Sequence, residues 1–105
     1  GASALIVTAV VKNRSGYERS GEPTNELGNG WGVYDLGLAN ENLLLKAAEM
    51  GIGTLVMGIR DEKKLHEILR IPEEQMVVSV IGVGYGTVSP DMPKRKSVED
   101  VAVIC

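Results

Sequence analysis

The sequence predicts an α+β fold: one small sheet of α/β-like, doubly buried strands, covered by helices and completed from outside the chain. Three observations predict it. Apolar runs rich in Val and Ile occur at Ser3–Val11, Thr54–Met57 and Met76–Val83, without the alternation of a strand wetted on one face. A long helical pattern separates the first two runs, and a short one separates the last two. Two helices are too few to cover both faces of such a sheet, so the remaining cover is expected from a partner chain or an N-terminal region outside this sequence.

Each element has a local reason. Ser3–Val11 is a continuous run carrying five β-branched residues, which suits a pleated strand. Residues 12–30 turn polar and carry Gly16, Gly21, Pro23 and Gly28, so they read as a long loop or lid. From Trp31 to Met50 the helical period returns, with Trp31, Tyr34, Leu38, Leu45 and Ala48 expected on the inner stripe and Leu44 and Ala47 widening it. Gly51 is placed to end that helix in a left-handed cap. Thr54–Met57 is a short strand closed by Gly58. Asp61 is expected to cap a short helix with Leu65, Ile68 and Leu69 inward, stopped by Ile71-Pro72. Met76–Val83 is the third strand. The tail, residues 98–105, has strand-like composition and needs something to dock on, as an arm would.

A chain of 105 residues makes one domain, residues 1–105, and buries roughly 65% of its unfolded surface. Hydrophobic residues make up 44% without a single Phe, and charged residues 24%, so global disorder is excluded. The net charge of −3 gives no basic face for nucleic acid. The local run Lys94-Arg95-Lys96 is too short to grip a duplex, though it suits a single phosphate. Cys105 is the only cysteine, which excludes an intrachain disulfide and a cysteine-based zinc site and fits a reducing cytoplasm. No apolar run approaches the roughly 20 residues of a membrane-spanning helix. Gly1 in place of Met, and a start almost directly on a strand, read as a protease scar or an internal start.

Three segments taken together carry a resemblance. The first is Asp35-Leu-Gly-Leu-Ala-Asn-Glu-Asn-Leu-Leu-Leu-Lys-Ala-Ala-Glu-Met-Gly-Ile-Gly-Thr54. The second is Leu55-Val-Met-Gly58, followed by a short helix ending in Ile-Leu-Arg-Ile-Pro72. The third is Val77-Val-Ser-Val-Ile-Gly-Val-Gly-Tyr85, followed by prolines and Lys94-Arg-Lys-Ser-Val-Glu-Asp-Val101. In this order and spacing they resemble the C-terminal half of the nitroreductase family of FMN-dependent enzymes, from about Ser3 to the end. The family's opening Arg/Ser-rich segment, which grips the FMN phosphate, and its Pro-Ser stretch beside the flavin have no counterpart here.

The resemblance implies an FMN site to which this chain contributes only part, because the family's homodimer builds each site from both subunits. It implies that Leu55, Val56, Met57 and Gly58 pass along the isoalloxazine ring, with the Met57 N–H reaching N5 and Gly58 allowing close backbone approach. Lys94 and Arg95 become the phosphate ligands, with Lys96 able to replace Lys94. The implied partners are NAD(P)H, a nitroaromatic or quinone-type acceptor, and a second copy or higher assembly, with the tail crossing to the partner. A different outcome also follows from the missing phosphate grip: a truncated, inactive member serving as an assembly or ligand-binding module.

Other residues carry less. Gly51-Ile-Gly53 follows a helix and Gly82-Val-Gly84-Tyr-Gly86 precedes none, so neither makes a dinucleotide fingerprint. His66 reads as an exposed helical histidine without a nucleophile beside it. Glu41 and Glu49 form no acid/base pair. Met50, Met57, Met76 and Met92 read as core fillers. Trp31 reads as the anchor of the helix start in preference to a stacking platform for a flavin.

Overall fold

The computed structural model describes residues 2–105. Along the chain follow β1 (Ala4–Val11), α1 (Gly30–Glu49), β2 (Gly53–Met57), α2 (Glu62–Leu69), β3 (Gln75–Gly84) and a one-turn helix, α3 (Val98–Val101). The sheet order is β1-β3-β2, and β3 is antiparallel to both neighbours. β1 and β2 therefore run parallel to each other with β3 between them, and α1 forms the crossover that parallel strands require. The resulting α+β layer matches the predicted class and element order as far as β3.

Register decides which side chains share a face. Leu5, Gly82 and Leu55 lie abreast, as do Val7, Val80 and Met57, while Ile6, Ile81 and Val56 alternate onto the opposite side. The register shifts by one where Thr8 faces Ser79 and Ala9 faces Val77, which leaves Val78 as the extra residue of a bulge in β3.

α1 packs on the Ile6/Ile81 side. Gly32 lies against Val10, where a Cβ would stand 3.6 Å from the valine Cβ, and Asn40 Nδ2 donates to Thr8 Oγ1 at 3.4 Å. The inward stripe is Gly32, Leu36, Asn40, Leu43 and Ala47. This corrects the expected stripe: Tyr34, Leu38, Leu45 and Ala48 point away from the sheet. The helix carries apolar residues on two sides, so period alone does not choose between them. The choice falls to close approach at Gly32 and the polar match at Asn40.

The central strand holds the core. Val77 and Ile81 are completely buried, and Val80 and Ala47 nearly so. The sheet face opposite α1 is buried at Val77 and Val80 but bare at its other end, where Leu5 is 63% and Leu55 65% exposed. Expected burial on both faces is thus complete under α1 at the sheet centre and only partial on the opposite face within this chain. The radius of gyration, 17.0 Å, exceeds the value of about 13 Å for a self-contained domain of this length.

The helix ends follow the sequence. Gly51 adopts φ 73°, the Ile52 N–H donates to the Ala47 carbonyl at 2.8 Å and the Gly51 N–H to that of Ala48 at 3.0 Å, a Schellman motif. Asp61 Oδ1 accepts the Lys64 N–H at 3.0 Å, as its capping role requires. Ile68 and Leu69, expected inward on α2, are exposed instead; Glu62, Leu65 and His66 take the inner side. His66 is therefore half-buried, not exposed, with Nδ1 2.9 Å from the Ile71 carbonyl and Nε2 3.5 Å from Glu62.

Residues 12–29 form a loop bonded to itself. Asn13 and Asn29 join its two ends through reciprocal hydrogen bonds of 2.7 and 3.1 Å. Trp31 anchors it, with Nε1 donating to Asn25 Oδ1 at 2.9 Å and its ring edge-on to Tyr34. The tail departs from its strand-like reading. An isolated strand leaves its backbone unpaired, whereas one helical turn closes its own bonds; Asp100 Oδ2 accepts the Ser97 N–H and the Ala102 N–H reaches the Val98 carbonyl. Val98, Val101, Val103 and Ile104 stay exposed.

Candidate functional site

The bare face carries an open cleft of about 630 Å³. Its floor is the row Leu5, Gly82 and Leu55 with Met57 beside it, and its far end is Tyr85–Val88, the segment leaving β3. Gly82 makes the trough: a glycine flanked by two leucines leaves a gap in the middle of the sheet surface. A Cβ there would meet the Met57 and Leu5 side chains at ordinary van der Waals distances of 3.6 and 3.9 Å, so the gap is space and not backbone strain.

β2 is the edge of the sheet, and alternate N–H groups along an edge strand have no partner in the ladder. Such donors, next to an apolar floor, suit a flat, largely apolar ring with a few acceptor atoms. Gly58 follows directly. Its φ is not positive, and a Cβ on it would meet nothing within 4 Å, so nothing inside this chain requires glycine there.

The residues singled out from the sequence are distributed as follows. Leu55 and Met57 line the cleft. Val56 alternates to the α1 side, opposite Ile81. Gly58 lies just past the strand end and Lys94 and Arg95 in the extended segment before α3, and none of these three lines the cleft. Lys94 and Arg95 are exposed, and among the described residues neither forms an ion pair, so both charges are available to a ligand.

Several cleft residues were not singled out beforehand. Leu5 and Gly82 come together only once the register is known, and the one local signal was a glycine inside a strand. Arg60 and Glu62, which lie outside the cleft beyond the β2 exit, were also missed. β2 stops at Met57, opposite Val80, so Val77 has no strand beside it on that edge. Arg60 Nη2 donates to the Val77 carbonyl at 2.7 Å, and Glu62 Oε1 accepts the Val77 N–H at 3.3 Å. The two side chains offer Val77 the donor and acceptor that a longer β2 would have offered. No group of three or more metal-ligating side chains occurs among the described residues, and none of their helices is long and apolar enough to cross a membrane.

Comparison with known proteins adds to this geometry. The family model described as the nitroreductase family matches residues 2–85. A protein of Archaeoglobus fulgidus assigned as an NADH dehydrogenase/NAD(P)H nitroreductase is 46% identical over 57 residues, which are 50% of this chain and 33% of that one. A nitroreductase-like protein of Bacillus cereus superposes with a TM-score of 0.77 at 16% identity, covering 99% of this chain and 51% of its own. The structure of an oxidoreductase containing FMN superposes with a TM-score of 0.73 at 24% identity, covering 97% and 54%. The chain thus spans a third of the curated relative and about half of each of these solved structures.

Proposed function

The chain belongs to the nitroreductase family, and on that footing we propose that it supplies part of the flavin site of an FMN-dependent NAD(P)H oxidoreductase. The reading is carried by one observation, the apolar cleft on the uncovered face beside the edge strand β2. Bound FMN supplies the electron-transfer chemistry between NAD(P)H and a nitroaromatic or quinone-type acceptor. The protein's task is to bind, orient and exclude water.

Leu55 and Met57 give the ring an apolar floor. The Met57 N–H, assigned to N5 by the resemblance, faces Val80 within the ladder, so the next N–H, that of Gly58, points outward and donates to the ring nitrogen N5. Gly58 leaves room for the ring to approach the backbone, which accounts for a glycine that nothing in this chain demands. Lys94 and Arg95 hold the phosphate, the arginine as a planar fork and the lysine as a point charge. A homodimer or higher assembly completes the site, drawing on the outward apolar side of α1 (Tyr34, Leu38 and Leu45) and on the exposed tail.

A second reading has its own support. The cleft is open on one side and Leu5 and Leu55 on its floor are exposed, so this length of chain offers a flavin cover on one side only. On that reading the chain is an assembly or ligand-binding module without catalysis. Titration of the purified full chain with FMN, followed by quenching of flavin fluorescence, separates the two. Saturable quenching and a yellow protein establish the flavin reading. Unquenched fluorescence throughout the titration establishes the module.

A further inference from the structure

Arg60 lies two residues beyond the β2 exit, and its guanidinium bridges two backbone carbonyls. Nη1 donates to the Gly58 carbonyl at 3.1 Å, and Nη2 donates to the Val77 carbonyl at 2.7 Å in the central strand. Glu62 stands behind it, 4.0 Å from Nη2, and takes the Val77 N–H through its other oxygen. His66 in turn approaches that oxygen to 3.5 Å and the Ile71 carbonyl to 2.9 Å. A chain of polar contacts therefore runs from the end of α2 through Arg60 to the peptide group of Gly58.

We propose that Arg60 is a positioning residue, whose fork ties the Gly58 carbonyl to buried Val77 and so fixes the orientation of the peptide groups at the β2 exit. The proposal rests on the flavin reading for its purpose, because that exit is where the ring would lie, but the tether is a property of this chain alone. Val77 is completely buried in the best-packed strand, so it is a fixed point. Gly58, by contrast, has no side chain to pack and no neighbour within 4 Å of where one would begin. Without a tether, a glycine at a strand end samples several backbone states, and an N–H aimed from it loses its direction. Pre-orientation of such donors is what gives them their value toward a bound ring. Lysine cannot replace arginine in this role, since one ammonium lacks the planar fork that spans two acceptors.

The test uses the full chain with Arg60→Lys and Arg60→Met, read by backbone amide order parameters at Met57, Gly58 and Ile59, by thermal unfolding and by FMN titration. In both variants the order parameters at Gly58 and Ile59 are expected to fall from about 0.85 to below about 0.6. Ile6 and Ile81 should stay rigid. Where the wild-type chain binds FMN, both variants should bind it about tenfold more weakly with little change in melting temperature. Unchanged order parameters at Gly58 and Ile59, or full rescue by lysine, overturn the proposal. Lower order parameters with unaltered FMN affinity overturn the positioning role at the ring. A wild-type chain that binds no FMN defeats the flavin reading instead, and the order parameters then decide the tether by themselves. Should Arg60→Met fail to fold, Arg60→Lys carries the same comparison.

Discussion

Thr8 and Ser79 meet side chain to side chain beneath α1, their hydroxyl oxygens 2.7 Å apart, at the pair that borders the bulge in β3. Both are buried, and Thr8 Oγ1 also lies 3.3 Å from the Ser79 carbonyl and accepts from Asn40. A polar pair in an apolar layer penalises slippage, because a shift of one residue would strand both hydroxyls. Thr8→Val should destabilise by about 1–3 kcal/mol, since it leaves the Ser79 hydroxyl without that partner. Ser79→Ala should cost less, because Thr8 keeps its other contacts. Urea unfolding of both single variants and the double variant should give a coupling of at least about 0.5 kcal/mol. Simple additivity would mean that the pair does not hold the register.

Gly16 tests the loop. Its backbone has φ 81°, and a Cβ on it would fall 2.5 Å from Trp31 Cδ1, against the ring itself. Gly16→Ala combines a left-handed alanine with that overlap and should cost about 2–4 kcal/mol. Gly21, at φ 94° with nothing within 4 Å, is the control, and Gly21→Ala should cost only the backbone strain of about 1–2 kcal/mol. Trp31 is the only tryptophan, so its fluorescence should shift to longer wavelength in the first variant and not in the second.

Much of the fold was legible because its signals are local. β-branched runs placed β1, β2 and β3, Gly51 ended α1, and Asp61 capped α2, since each statement concerns a residue and its near neighbours in sequence. What was not legible depends on pairing. The side of α1 that faces the sheet is set by Gly32 against Val10 and Asn40 against Thr8, contacts between residues more than twenty apart in sequence. The same holds for the site. The glycine after β2 and the basic run could be named from the sequence, whereas the floor made by Leu5, Gly82 and Leu55 needs the register of all three strands.

The bare face makes a prediction about the free chain. Leu55 is 65% exposed, so Leu55→Lys should change stability by no more than about 0.5 kcal/mol, while Ile81→Ala, in the buried centre, should cost about 2–5 kcal/mol. Sedimentation should also show less self-association for Leu55→Lys, because a charge interrupts the apolar patch. Equal losses of stability in the two variants would show that this face is covered in solution.

The tail carries a pH dependence. The Glu99 carboxyl is held below the ordinary glutamate range, first by its own backbone N–H at the start of α3 and then by the Ser97 side chain. A carboxylate whose folded-state pKa is depressed contributes stability above its unfolded value and loses it as pH falls through the folded value. α3 should therefore be intact at neutral pH and fray under acid, with β1 and β3 unaffected. Backbone chemical shifts of Val98–Val101 should report the change, and Glu99→Gln should remove it. Fraying at the same pH in Glu99→Gln would assign the effect to another group.

The basic pair is best tested by removing the phosphate from the ligand as well as the charges from the protein. Riboflavin has the ring of FMN without its phosphate, so a residue that touches only phosphate distinguishes the two. Lys94→Ala combined with Arg95→Ala should weaken FMN binding about tenfold or more for each charge-assisted bond lost, and leave riboflavin binding unchanged. Both side chains are exposed, so the double variant should fold normally. Lys96→Ala is the control for net charge, because it removes one positive charge from the same exposed segment. Equal weakening of FMN and riboflavin would mean that the pair acts through the fold of the segment. An effect from Lys96 as large as that from Lys94 would move the lysine's role two residues along. No loss of FMN affinity in the double variant would place the phosphate elsewhere and leave this segment as ordinary solvated surface.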